Sequence, residues 1–179
     1  MTKFTTHTME SAPEASKPLL DNSIKAFGMV PNLHAVLASS PAALKVYQVQ
    51  HEAFLNSSFD ADELTVVWQT INVEHECGYC VPAHTAIAHS MKVSEEIINA
   101  LRNKTPLPTE KLEALRDTTL SILRNRGRLD GEELARFFAA GYGEQQVLEI
   151  ILGLSQKVIS NYTNHIAETE LDAPFKQFA

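Results

Sequence analysis

Glycine, cysteine and long apolar runs are all scarce in this chain. Seven glycines among 179 residues, with almost no strand-like alternation, argue against a turn-rich β architecture. Two cysteines are too few for a disulfide framework, and 44% hydrophobic content over this length can fill a core without one. No apolar run approaches the roughly 20 residues of a membrane-spanning helix. The opening segment, MTKFTTHTMESAPEASK, has no apolar stretch of about 7–15 residues such as a secretory signal needs, so a cytoplasmic location is expected. No Lys/Arg block occurs, and 22 acidic against 15 basic side chains leave a formal charge of −7. That balance disfavours nucleic acid and anionic membrane as partners.

What remains is helical punctuation, and the chain reads as all-α. Residues 1–14 are expected to form a flexible arm and 15–179 a single helical domain. A first helix is expected over about 16–26, broken by Gly28-Met29-Val30-Pro31-Asn32. Ser40-Pro41 supplies an N-cap with proline at the first helical position. Asp60 and Glu63 have capping-box spacing, followed by an apolar stripe of Leu64, Val67, Trp68 and Ile71. Ser94 opens a short helix, Pro106-Leu107-Pro108 is a linker, and the next helix ends near Gly127. Asp130 and Glu133 form a second capping box. Apolar residues surround most of the stretch 144–165, which places that helix in the middle of a bundle. A shift of 81 residues lays Glu63 on Glu144, Val66 on Val147 and His84 on His165, which suggests an internal two-fold helical repeat.

Both cysteines fall in the run Glu74-His75-Glu76-Cys77-Gly78-Tyr79-Cys80-Val81-Pro82-Ala83-His84. On an α-helix, residues 77, 80 and 84 are separated by about 300° and then about 400°, so two sulfurs and an imidazole share one face. A close cysteine pair in a reducing compartment points to redox, nucleophilic or metal chemistry. The thiolate is the reactive form, and His84, one turn beyond Cys80, is placed to take its proton. Sulfenic acid formed on one sulfur would condense with the other to give a disulfide. Glu74 is the nearest carboxylate in sequence to orient the imidazole, and Glu63 is its rival. His75, Cys77, Cys80 and His84 could instead ligate zinc, but structural zinc sites draw on two separate segments and no second Cys/His pair exists here. No metal or cofactor is therefore expected. His89 is expected on a solvated face, and His165 with Asn161 and Asn164 either ends the last helix or lines the cavity.

With these residues in view, the chain resembles the alkylhydroperoxidase D-like branch of the carboxymuconolactone decarboxylase superfamily. The resemblance rests on Ala26-Phe27-Gly28-Met29-Val30-Pro31-Asn32-Leu33, on Val73 through Thr85 with its CxxCxxxH core, and on Ser160-Asn161-Tyr162-Thr163-Asn164-His165. It extends from about residue 15 to 178. It implies a helical bundle with a reactive cleft and assembly as a homo-oligomer, trimeric or hexameric. The activity it implies is reduction of hydroperoxides by the dithiol, re-reduced by a thiol or dihydrolipoyl carrier. In its terms Cys80 is peroxidatic, Cys77 resolving and His84 the proton carrier. Proximity to a helix N-terminus would favour Cys77 as attacker, whereas His84 lies one turn from Cys80 and two from Cys77. The family's relay glutamate commonly stands twelve residues before the first cysteine, a position held here by Thr65. The alternatives are carboxymuconolactone-type decarboxylation, which does not depend on a cysteine pair, and a redox-sensing or zinc-binding oligomeric module.

Overall fold

The computed structural model describes residues 4–179. Nine α-helices and two short 3-10 segments account for the regular structure of these residues: α1 Lys17–Phe27, α2 Asn32–Leu37, α3 Pro41–Leu55, α4 Ala61–Glu74, α5 Cys80–Ser90, α6 Glu95–Asn103, α7 Glu110–Arg124, α8 Gly131–Ala139 and α9 Glu144–Ala167. Local chemistry sets most boundaries. Ser40, Ser94 and Thr109 each accept the backbone N–H three residues on, which satisfies an otherwise orphaned donor. Both capping boxes close reciprocally, Asp60 with Glu63 and Asp130 with Glu133. Gly28 ends α1 with φ +73°, a left-handed conformation that glycine reaches without steric cost. The break at 28–32 then runs straight into α2, a six-residue helix that the sequence pattern did not announce.

The central helix is α4. Every residue from Glu63 to Asn72 is buried, and α4 packs against α5, α6, α7 and α9. The expectation that the last helix is surrounded by protein is not met. Leu148 is 66% exposed and Ile166 68% exposed, with Ile151 and Tyr162 also open. The face that α9 turns inward is polar instead: Gln156, Lys157, Ser160, Asn161 and Asn164 are buried. The 81-residue shift lays α4, a turn and α5 over this one unbroken helix and pairs buried His84 with exposed His165. The correspondence therefore stops short of the site.

The segment expected as a loose arm is packed from residue 7 onward, whereas residues 1–3 lie outside those described. His7 donates its backbone N–H to the Ala35 carbonyl, and Ala12 is buried beside Leu20, Leu37 and Tyr47. The chain closes with a 3-10 segment, Ala173–Phe178, laid along α5. Arg102 holds it by donating to the Phe178 carbonyl at 2.6 Å. No described helix is long and apolar enough to cross a membrane.

Candidate active site

Cys80 is the first residue of α5, and Cys77 lies in the turn that precedes it rather than on the helix. Glu76 takes φ +54° at the end of α4, and the Cys77 N–H reaches back to the Asn72 carbonyl. This reversal turns the Cys77 sulfur toward α5, where it accepts the Cys80 backbone N–H at 3.3 Å. The two sulfurs thus meet through a turn at a helix start, not through a shared helical face. Pro82 fits the first turn of α5 because the N–H it lacks would have no intrahelical partner. Both cysteines are free and buried.

Their environments differ in sign. Burial alone would raise the Cys80 thiol. The hydrogen bond from Cys77, the positive field of Lys157 and the amide donors of Asn164 and Asn161 outweigh it and bring Cys80 well below an ordinary thiol. The Asn164 amide donates to Cys80 Sγ at 3.2 Å. Cys77 moves the other way, because its proton is engaged by Cys80, because it is buried and because Cys80 carries the charge. Both shifts favour the charge on Cys80 and the proton on Cys77.

His84 is buried one turn along α5, and its Nε2 lies 2.8 Å from Lys157 Nζ. Its Nδ1 has no partner among the described residues. Burial first, then Lys157 and His51, keep the imidazole neutral by depressing its pKa strongly. Lys157 is fully buried. Burial pulls its ammonium below the ordinary lysine value, and the negative charge on Cys80 pulls it back. Lys157 belongs to a polar network that locks α9 to α4 and α5. The Trp68 indole donates to Gln156, whose amide meets His51, and the Asn161 amide donates to Asn72 while its oxygen meets His75.

Glu74 does not join this group. Both of its oxygens accept from Arg124, at 2.6 and 2.8 Å, because the last turn of α4 faces α7 and solvent there. Glu63 is likewise committed, to its capping box and to Lys111 at 2.8 Å. Thr65, at the relay position, is buried with its hydroxyl donated to the Ala61 carbonyl. No carboxylate is thus bonded to His84, and Lys157 takes that place. His75 turns to Asn161 and His84 to Lys157, and no cluster of three or more His, Cys, Asp or Glu side chains gathers as a metal site among the described residues. His89 is half-buried, pairs with Glu95 and stacks on Phe178.

Lys157 is the residue that sequence reasoning missed. A lysine at 157 followed by Asn161 and Asn164 repeats at helical spacing on an otherwise apolar helix, and that polar stripe was the available signal. Cys80, His84 and Lys157 border a cavity of about 650 Å³ walled by Phe27, His34, Tyr47, His51 and Phe175 among others. Its imidazoles are neutral: burial, then His51, lowers His34 to about 3, and burial, then Lys157, lowers His51 to about 4. Tyr79, between the cysteines, donates to Asp172 of the C-terminal segment and stacks edge-on with Phe175.

No protein-family model matches this sequence, and no curated protein is detectably similar to it. Solved structures are. An uncharacterized peroxidase-related protein of Ralstonia eutropha JMP134, described as an alkylhydroperoxidase AhpD core, superposes with a TM-score of 0.83 at 16% identity, covering 98% of this chain and 96% of its own. An uncharacterized peroxidase-related protein of Silicibacter sp. TM1040 gives 0.80 at 15% identity, over 97% and 95%. The debrominase Bmp8, as a cysteine-to-alanine variant in complex with 2,3,4-tribromopyrrole, gives 0.77 at 15% identity, over 99% and 95%. This chain has the all-α alkylhydroperoxidase D-like fold.

Proposed function

We propose that the protein is a thiol-dependent hydroperoxide reductase. The Cys80 thiolate attacks the terminal oxygen of ROOH, the O–O bond breaks, and ROH leaves once a proton reaches its oxygen. Cys77 then attacks the sulfenic sulfur, releasing water and closing the disulfide. Two equivalents of an external thiol or a dihydrolipoyl group reset the pair. The observation that carries this reading is the division of labour between the sulfurs: Cys80 is held as thiolate by Lys157 and two amides, while Cys77 keeps its proton beside it. Steady-state turnover should vanish in Cys80→Ser, and Cys77→Ser should accumulate a sulfenic acid that dimedone traps. Wild-type-like turnover in Cys80→Ser would sink the assignment.

The cavity supports a second reading. Its 650 Å³ far exceed a peroxide group, and its aromatic walls suit a ring. A dithiol can also reduce a carbon–halogen bond: ArBr plus two thiols gives ArH, HBr and a disulfide. The fold shared with Bmp8 is compatible with this chemistry. Ion chromatography separates the two, since one bromide released per disulfide formed from a brominated pyrrole would favour dehalogenation. Either reaction fits a cytoplasmic homo-oligomer. The exposed Leu148, Ile151, Tyr162 and Ile166 on α9 support self-association, and sedimentation velocity reads it.

A further inference from the structure

The site contains a fully buried lysine, and no carboxylate among the described residues is bonded to it. Lys157 Nζ touches His84 Nε2 at 2.8 Å, and the opposite ring nitrogen, Nδ1, has no partner among the described residues. The titratable groups around Lys157 and its cavity are Cys80 and His84 from α5, Cys77 and Tyr79 from the turn before it, His51, Tyr47 and the exposed Glu52 from α3, and His34 from α2. From α4, Trp68 lies against His84 and Asn72 accepts from Asn161, and neither titrates. Among the described residues the anion whose field acts most strongly on the Lys157 ammonium is the Cys80 thiolate.

We propose that Lys157 stores the proton that the Cys80 thiol gives up, and that oxidation of the dithiol sends this proton through His84 to the reduced oxidant. When the oxidant takes the Cys80 sulfur, the thiolate charge disappears and the ammonium is left alone in a buried pocket. Such a cation gives up its proton. Nε2 takes it from Nζ while Nδ1 releases one to the departing oxygen, so the imidazole changes tautomer and never becomes charged. The balance closes: thiolate, thiol, ammonium and ROOH give disulfide, amine, ROH and water, with no net charge on either side. Re-reduction reverses it, the incoming dithiol returning one proton to Lys157. The unpartnered Nδ1 then has a use, which the hydrogen bonds within the protein do not supply. The hydroperoxide half of this inference rests on the proposed function; the proton store does not.

A proton count tests it on the wild-type protein. At a pH where absorbance at 240 nm shows the thiolate, the reduced protein in weak buffer with a pH indicator is oxidised once, by diamide in one arm and by cumene hydroperoxide in the other. With Lys157 deprotonated once the thiolate charge is gone, uptake at pH 7 should be close to zero per disulfide. Without the store, every thiolate consumed draws one proton from solvent. Lys157→Arg, whose guanidinium cannot release a proton, should take up about one. Uptake of one proton in the wild type, near-zero uptake in Lys157→Arg with its thiolate intact, or no thiolate in the wild type at all would each overturn the store. If diamide oxidises the wild type with near-zero uptake while hydroperoxide does not oxidise it, the peroxidase reading falls and the store stands. If both oxidants form the disulfide with one proton taken up, the store alone falls.

Discussion

Mild acid should destabilise this protein well before its carboxylates begin to titrate. His34 and His51 have pKa values pushed down to about 3 and about 4, chiefly by burial, whereas an unfolded histidine titrates near 6.5. Between those values the unfolded chain binds protons that the native state refuses, so stability falls as pH drops below about 6.5. At pH 5 each imidazole accounts for a loss of about 2 kcal/mol and the two together for about 4 kcal/mol, against a typical total of 5–15 kcal/mol. His84, depressed for the same first reason, acts in the same direction. Glu74 and Glu63 do not obscure the window, since carboxylates held low lose their contribution only below about pH 4.5. Trp68 is the single tryptophan, is buried, and stacks on His51 at 5.4 Å between ring centroids, so its fluorescence reports the transition. Urea midpoints at pH 7.5, 6 and 5 should fall steadily, and His51→Gln should remove about a third of the fall between pH 6.5 and 5. Equal midpoints at all three pH values, or an unchanged slope in His51→Gln, would refute the neutral-imidazole cage.

Lys157→Met should raise stability and lower reactivity at once. Unit charges about 5 Å apart at an effective dielectric near 20 attract by about 3 kcal/mol, or about 2 pKa units; the pH profile of iodoacetamide alkylation at Cys80 should therefore move about 2 units toward alkali. Without Lys157 the Cys80 thiol keeps its proton, so both ions of the buried pair are lost, a change that commonly stabilises by about 1–4 kcal/mol, and an unmoved alkylation profile would show that Lys157 does not hold the thiolate. Glu74→Gln breaks only the partly exposed pair with Arg124, so it should cost at most about 1 kcal/mol and leave the same profile untouched; a shift would return Glu74 to the site. At Gly153 a Cβ would lie 2.8 Å from Phe54 Cε2, so Gly153→Ala should lose about 1–3 kcal/mol to overpacking despite the helix propensity it gains, visible as a melting point several degrees lower.

The helices were legible wherever a boundary is made by local chemistry. Asp60 with Glu63, Ser40 with Pro41, and Ser94 all stand where their patterns placed them. The turn carrying Cys77 was not, because one positive φ at Glu76 ends α4 there, and no glycine or proline marks that position. Cys77 meets Cys80 through that turn rather than on a shared helical face, and His84, one turn on, borders the same cavity as Cys80. Glu74 was misplaced for a plain reason: nearness along a helix says nothing about which neighbour a long side chain meets, and Arg124 is fifty residues away in sequence. Lys157, 73 positions from His84, is likewise a tertiary partner, which no local spacing exposes.

The last helix shows why hydrophobicity alone could not rank inside against outside. Along α9 the apolar residues Leu148, Ile151, Tyr162 and Ile166 face outward, while Gln156, Lys157, Asn161 and Asn164 are buried against α4 and α5. Burying an amide is nearly neutral when its hydrogen bonds are made, but burying an ammonium costs free energy that no bond within the protein fully returns. Such a charge is retained where chemistry needs it, and here its balancing anion is a sulfur that oxidation discharges. The polar inner face of α9 is therefore better explained by the reactivity of Cys80 than by the stability of the bundle. That explanation ties the destabilising residue and the reactive one into a single unit, in which Asn164 and Lys157 hold the thiolate and His84 joins the cation to the cavity.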